Sequence, residues 1–86
     1  MTENGQTCAD INMAFIMSES ECTAAVLLFG STYSGHHTKN DFPTGCYIFR
    51  GDYGHYNAHK SGSGHSETRS ICKGDEISTM QYQIEY

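Results

Sequence analysis

The sequence has no tryptophan, no N-x-S/T sequon, no C-x-x-C pair and no G-x-S-x-G elbow. Each absence excludes something. Without a sequon, N-glycosylation of the chain is not expected, and only O-linked sugars on Ser/Thr-rich loops are left open. Without C-x-x-C, a zinc ribbon or a thioredoxin-type redox centre has little support. Without the serine elbow, a hydrolase of that type has none. Basic residues are also scarce: Lys39, Arg50, Lys60, Arg69 and Lys73 stand singly against ten acids, for a formal charge of −5. No basic patch results, so nucleic acid and anionic membrane are not expected as electrostatic partners. Apolar runs such as residues 13–17 are far too short for membrane insertion. Residues 1–10 lack a basic start and contain Glu3 and Asp10, so they do not read as a signal peptide, and a secreted form is expected to be a mature chain or an excised module.

What is present is a small chain that needs staples. Eighty-six residues, 37% hydrophobic and with nine glycines, bury only about 60% of the surface their unfolded form exposes, and glycine raises the entropy cost of folding. Cys8, Cys22, Cys46 and Cys72 are an even set spread along the chain. In a domain this small they suggest two disulfides and an oxidising, extracellular compartment. Three pairings are open. Cys22 with Cys46 and Cys8 with Cys72 is favoured, because the first would bolt a helix start to a strand start and the second would tie the ends together. Each closed loop contributes on the order of 3–4 kcal/mol in the chain-entropy model.

The pattern along the chain predicts an α+β domain: one helix at about 19–29 packed on a short antiparallel β-sheet. Ser18 and Glu21 match the S-x-x-E capping box. Cys22, Ala25, Val26 and Phe29 then share one helical face, and Gly30 sits where a left-handed cap is needed. Alternation of Ile11, Met13 and Phe15 predicts a short strand before the helix. Residues 30–45 are rich in turn formers and end in a Pro43-Thr44-Gly45 turn. Residues 46–49 and a segment near 53–59 predict a hairpin turning near Arg50. Residues 61–70 read as a flexible Ser/Gly loop, and residues 71–73 re-enter the fold. The single module is expected to span residues 1–77. Residues 78–86 then alternate, with Met80, Tyr82, Ile84 and Tyr86 on one side. This amphipathic strand lies beyond the last cysteine and suits pairing with its own sheet or with a neighbouring chain.

The order Cys8, Glu21-Cys22-Thr23-Ala24-Ala25, Phe42-Pro43-Thr44-Gly45-Cys46-Tyr47, Tyr56-Asn57 and Ile71-Cys72 resembles a four-cysteine module found in predicted secreted proteins of algae and related protists. That resemblance implies an extracytoplasmic, disulfide-bonded module, often attached to larger proteins, with no catalytic residues to carry over. The alternating tail departs from the appended copies.

Four sharper readings compete with blander ones. Arg50-Gly51-Asp52 spells an adhesion tripeptide, but Gly-Asp is equally turn chemistry. His55 and His59 are four apart, which on a strand separates them by about 13 Å, too far to share an ion. His36 and His37, with His65 or Asp41, are the alternative metal set, against the ordinary reading of solvated loop histidines. Ser34, His36 and Asp41 supply the residue types of a hydrolytic triad without its local signature. Tyr33, Tyr47, Tyr53 and Tyr56 offer flat rings for a glycan. The expected role is therefore a non-catalytic extracellular structural or protein-interaction module, self-assembling through strand addition at residues 78–86. Its partners would be protein, copies of itself or a larger extracellular assembly, and no cofactor is implied. The runner-up is an extracellular ligand-binding module for glycan or a transition metal.

Overall fold

The computed structural model describes residues 1–74; the expected boundary at residue 77 and the alternating face of Met80, Tyr82, Ile84 and Tyr86 lie outside them. Helix α1 spans Glu19–Leu28, and the Ser18 side chain accepts from the Glu21 amide at 3.4 Å. Only this half of the capping box forms, since the Glu21 carboxylate turns to Lys73 Nζ at 3.7 Å. At the other end Gly30 takes φ +77°. The Ser31 amide donates to the Val26 carbonyl and the Gly30 amide to that of Leu27, the paired bonds of a Schellman cap. Cys22, Ala25 and Val26 are buried as their spacing predicts, but Phe29 is 40% exposed. Phe29 is the C-cap residue, where the helix has already ended, so it no longer follows the buried stripe.

Before the helix the expected strand is replaced by a 3-10 turn at Cys8–Ile11. The Asp10 carboxylate accepts from the Thr7 amide at 2.8 Å, and Asn12, in the left-handed region at φ 57°, turns the chain back. Asparagine tolerates that conformation better than most residues. Of the predicted strand only Phe15 pairs, in a single bridge to Cys72.

Four strands follow: β1 Thr32–His37, β2 Gly45–Phe49, β3 Tyr53–Asn57 and β4 Thr68–Ile71. They lie in the order β1-β3-β2-β4, with β2 antiparallel to both β3 and β4 but β1 parallel to β3. The sheet is thus mixed, not antiparallel. The reason is topological. β2 and β3 form the predicted hairpin, β4 takes the outer side of β2 and β1 the outer side of β3, so residues 38–44 cross the end of β3 to start β2. β2 runs opposite to β1, and β3, opposite to β2, ends up parallel to it. β1 lies within the segment expected to be turns, and β4 emerges from the end of the expected Ser/Gly loop; both are too polar to show apolar alternation.

The helix packs on one face of the sheet. There Ile16, Cys22, Ala25, Val26, Cys46, Ile48 and Ile71 form the core, with Tyr33 and Tyr56 against it. Disulfides join Cys8 to Cys72 and Cys22 to Cys46. Gly54 makes the approach possible, because a Cβ there would stand 2.3 Å from a Val26 methyl. At the hairpin tip Arg50 and Gly51 take φ 54° and 79°, the positive values an I′-type turn requires.

Candidate functional site

The sheet face opposite the helix carries the chemistry. Side chains alternate along a strand, so Cys46 and Ile48 enter the core while Tyr47 and Phe49 point away from it. On β3, Gly54 and Tyr56 face the helix, leaving His55 and Asn57 on the far side. A register shift in β1 between Tyr33 and Gly35 changes the parity there. As a result Tyr33 and His36, three apart, both reach the Glu19 carboxylate on the helix side, at 2.7 and 3.2 Å, and His37 joins the far face.

Asn57 holds the crossover in place. Its Oδ1 accepts from the amides of Lys39 and His59, and its Nδ2 lies within 3.1 Å of the carbonyls of Lys39, Phe42 and Pro43. The side chain is fully buried and fully used. By tethering residues 39–43 it lays Phe42 across the far face. The Ser63 amide donates to the Phe42 carbonyl and the Gly62 amide to Thr44 Oγ1, which draws in the following loop and brings His65 onto Phe42.

The outcome is a cluster of rings. His37, Tyr47 and His55 form a triangle with centroids 5.4 to 5.7 Å apart, and Tyr47 Oη lies 2.5 Å from His37 Nε2. Phe42 stacks on Tyr47 and, from 4.9 Å, on His65. Between the rings lies a half-open cavity of about 160 Å³, lined by His37, Lys39, Phe42, Tyr47, Phe49 and His55.

Burial sets the protonation of this cluster. It depresses the pKa of His37, helped by the neighbouring His55 and Lys39, and it depresses that of His55 against the pull of the Gly35 carbonyl. Burial, with Asp41 nearby, raises that of Tyr47. At neutral pH the site therefore holds two neutral imidazoles and a protonated phenol, hydrogen-bonded to His37 Nε2. On the helix side, burial and the bond to Glu19 push Tyr33 up to about 12.

The sequence-derived candidates are dispersed. His36 is bound to Glu19 on one face and His37 lies on the other, while the His65 Nδ1 accepts from the Glu67 amide. Among the described residues no three His, Cys, Asp or Glu side chains converge as a metal set. His55 belongs to the ring cluster, whereas His59 Nδ1 accepts from the Ser61 amide. No hydrogen bond joins Ser34, His36 and Asp41. The four tyrosines divide: Tyr33 and Tyr56 pack on the core, Tyr47 is buried in the far face, and Tyr53 is 51% exposed. Arg50 does sit at the hairpin tip, but its guanidinium pairs with Glu67 and lies 4.9 Å over Phe49. His55 and Asn57 were missed as partners of His37. The cross-strand pairing of Tyr47 with His55 was available from the predicted hairpin; the shift in β1 had no local signal.

No family model, curated protein or solved structure matches the chain. The two edges of the sheet differ. Beside β4, the Thr2 amide donates to the Ser70 carbonyl, the Gly5 amide to that of Thr68, and the Ser70 amide to Thr2 Oγ1. That edge is covered. β1 is the other edge, and among the described residues it is paired only with β3 and the turn beside it. No helix among the described residues is long and apolar enough to cross a membrane.

Proposed function

We propose that this protein is a non-catalytic extracellular interaction module that joins protein chains, copies of itself included, by strand addition at β1. One observation carries the reading: the N-terminal residues cover the β4 edge, and among the described residues β1 is left open. An open edge offers a row of backbone donors and acceptors to an incoming strand, with alternate side chains providing selectivity. The donor we assign is the segment 78–86, whose alternating pattern supplies apolar residues at Met80, Tyr82, Ile84 and Tyr86. Head-to-tail addition of one copy to the next would produce an open filament. The irregularity between Tyr33 and Gly35 would limit indiscriminate pairing, as bulges do on sheet edges. Two disulfides are compatible with an oxidising location, and the resemblance to secreted four-cysteine modules supports the same setting.

The test is sedimentation and electron microscopy of the oxidised chain over a range of concentrations. Growth of oligomers should be lost both on deleting residues 78–86 and in Ser34→Pro, which removes an amide from the one β1 residue without a β3 partner. A monomer at every concentration, unchanged by either alteration, would sink self-assembly. A second reading, an extracellular module binding a glycan or a transition metal, is favoured by the ring-lined cavity.

A further inference from the structure

We infer that His37, His55 and Tyr47 form a binding site for a divalent transition-metal ion, for which Cu(II) is the probe. This inference deepens the ligand-binding reading of the cavity and does not depend on strand addition at β1. A metal bound about 2.0–2.1 Å from an imidazole nitrogen lies roughly 3 Å from that ring's centre, so two imidazoles sharing an ion stand within about 6 Å of each other. The His37 and His55 centroids are 5.6 Å apart. Tyr47 Oη is hydrogen-bonded to His37 Nε2 at 2.5 Å, closer than the roughly 2.9 Å between adjacent ligands of one ion, so binding draws the two atoms apart by a few tenths of an ångström as their shared proton leaves.

The chemistry of the donors agrees with this geometry. Imidazole nitrogen with an oxygen donor is a set that Cu(II) accepts. All three rings line the same half-open cavity, and they project from β1, β2 and β3, strands held together by the sheet. Beside His55 the Gly35 carbonyl offers an acceptor for one ring N–H, an arrangement that fixes the tautomer of many metal-binding histidines. Binding exchanges a proton for the ion: the phenol O–H bond breaks, an oxygen–metal bond forms, and one H⁺ leaves to solvent. Asp41 lies within electrostatic reach of both His37 and Tyr47 and favours a cation. Lys39 lines the cavity and opposes one.

The experiment titrates Cu(II) into the oxidised full chain near pH 7.4, followed by calorimetry, visible absorption and electron paramagnetic resonance. One ion per chain is expected, with nitrogen hyperfine structure from two imidazoles, a phenolate-to-copper absorption band and release of a proton. His37→Gln and His55→Gln should each weaken binding about tenfold or more. Tyr47→Phe should abolish the absorption band and retain weaker binding. Replacing His36, His59 and His65 together by Gln should leave affinity unchanged. Absence of stoichiometric binding by the wild-type chain overturns the site, whatever the variants do. So does affinity unaltered in His55→Gln, or affinity lost with His36, His59 and His65. A chain that binds copper but never oligomerises would retain this inference and defeat strand addition.

Discussion

The two faces of the sheet solve the same problem with different materials. On the helix side, aliphatic side chains and the Cys22–Cys46 bridge fill the space, and no ionisable group is among the core residues. On the far side no helix is present among the described residues, and rings brought by the strands and by loops cover the sheet: Tyr47, His37 and His55 beneath Phe42 and His65. The first face is closed by burial and covalent linkage. The second depends on a hydrogen-bonded asparagine and on neutral histidines, so it responds to pH and leaves room for a ligand. A small domain without tryptophan thus divides stability and chemistry between opposite sides of one sheet.

The comparison breaks most severely when the covalent support goes. Closing the 24-residue and 64-residue separations contributes roughly 3.5 and 4 kcal/mol in the chain-entropy model, of the order of a small domain's whole stability. Reduction, followed by circular dichroism, should therefore unfold both faces together; a reduced chain with an intact melting transition would contradict this. On the ring face alone, Asn57→Ala strips partners from three carbonyls and two amides. A loss of about 2–4 kcal/mol is expected, with the near-ultraviolet tyrosine signal changing before the helix melts. If signal and helix are lost at one temperature, the faces are not separable units.

On the helix face, Gly54→Ala forces a methyl against Val26 and should cost about 1–3 kcal/mol. Combining it with Val26→Ala should recover part of that loss, and strict additivity of the two in denaturant titrations would count against the contact. The smallest effect is that of pH. The unfolded histidines titrate near 6.5, and His37 and His55 titrate lower in the fold. Below that value the unfolded chain binds more protons, so stability is full above pH 6.5 and declines as pH falls through the folded values. His36, Lys39 and Asp41 act on His37 as well, His36 and Lys39 lowering its pKa and Asp41 raising it. In His37→Gln/His55→Gln the slope of melting temperature against pH between 5 and 7 should flatten. An unchanged slope would place the dependence elsewhere.

Much of the helix side was legible in the residues. The cap at Ser18, the stripe of Cys22, Ala25 and Val26 and the left-handed Gly30 are all local signals, and a helix satisfies its backbone within a few residues. The hairpin around Arg50 and Gly51 was legible for the same reason. The ring face was not. It needs His37 from β1, Tyr47 and His55 from paired strands, and Phe42 from a crossover clamped by Asn57, and no short window contains those relations. His36 and His37 of the candidate set lie on opposite faces because neighbours on a strand alternate, a relation hidden while that segment read as turns.

By itself, then, the amino-acid sequence determined a small α+β domain with two staples, one capped helix and one hairpin, because capping, helical periodicity and turn chemistry act over a few residues. The tertiary structure decided that the sheet is mixed, that among the described residues one edge is covered and the other open, and that two histidines and a tyrosine meet beneath a phenylalanine. Those outcomes depend on which strand lies beside which. That order follows from the path of a crossover, the placement of a bulge and the packing of the helix, all of them long-range relations that no local pattern encodes.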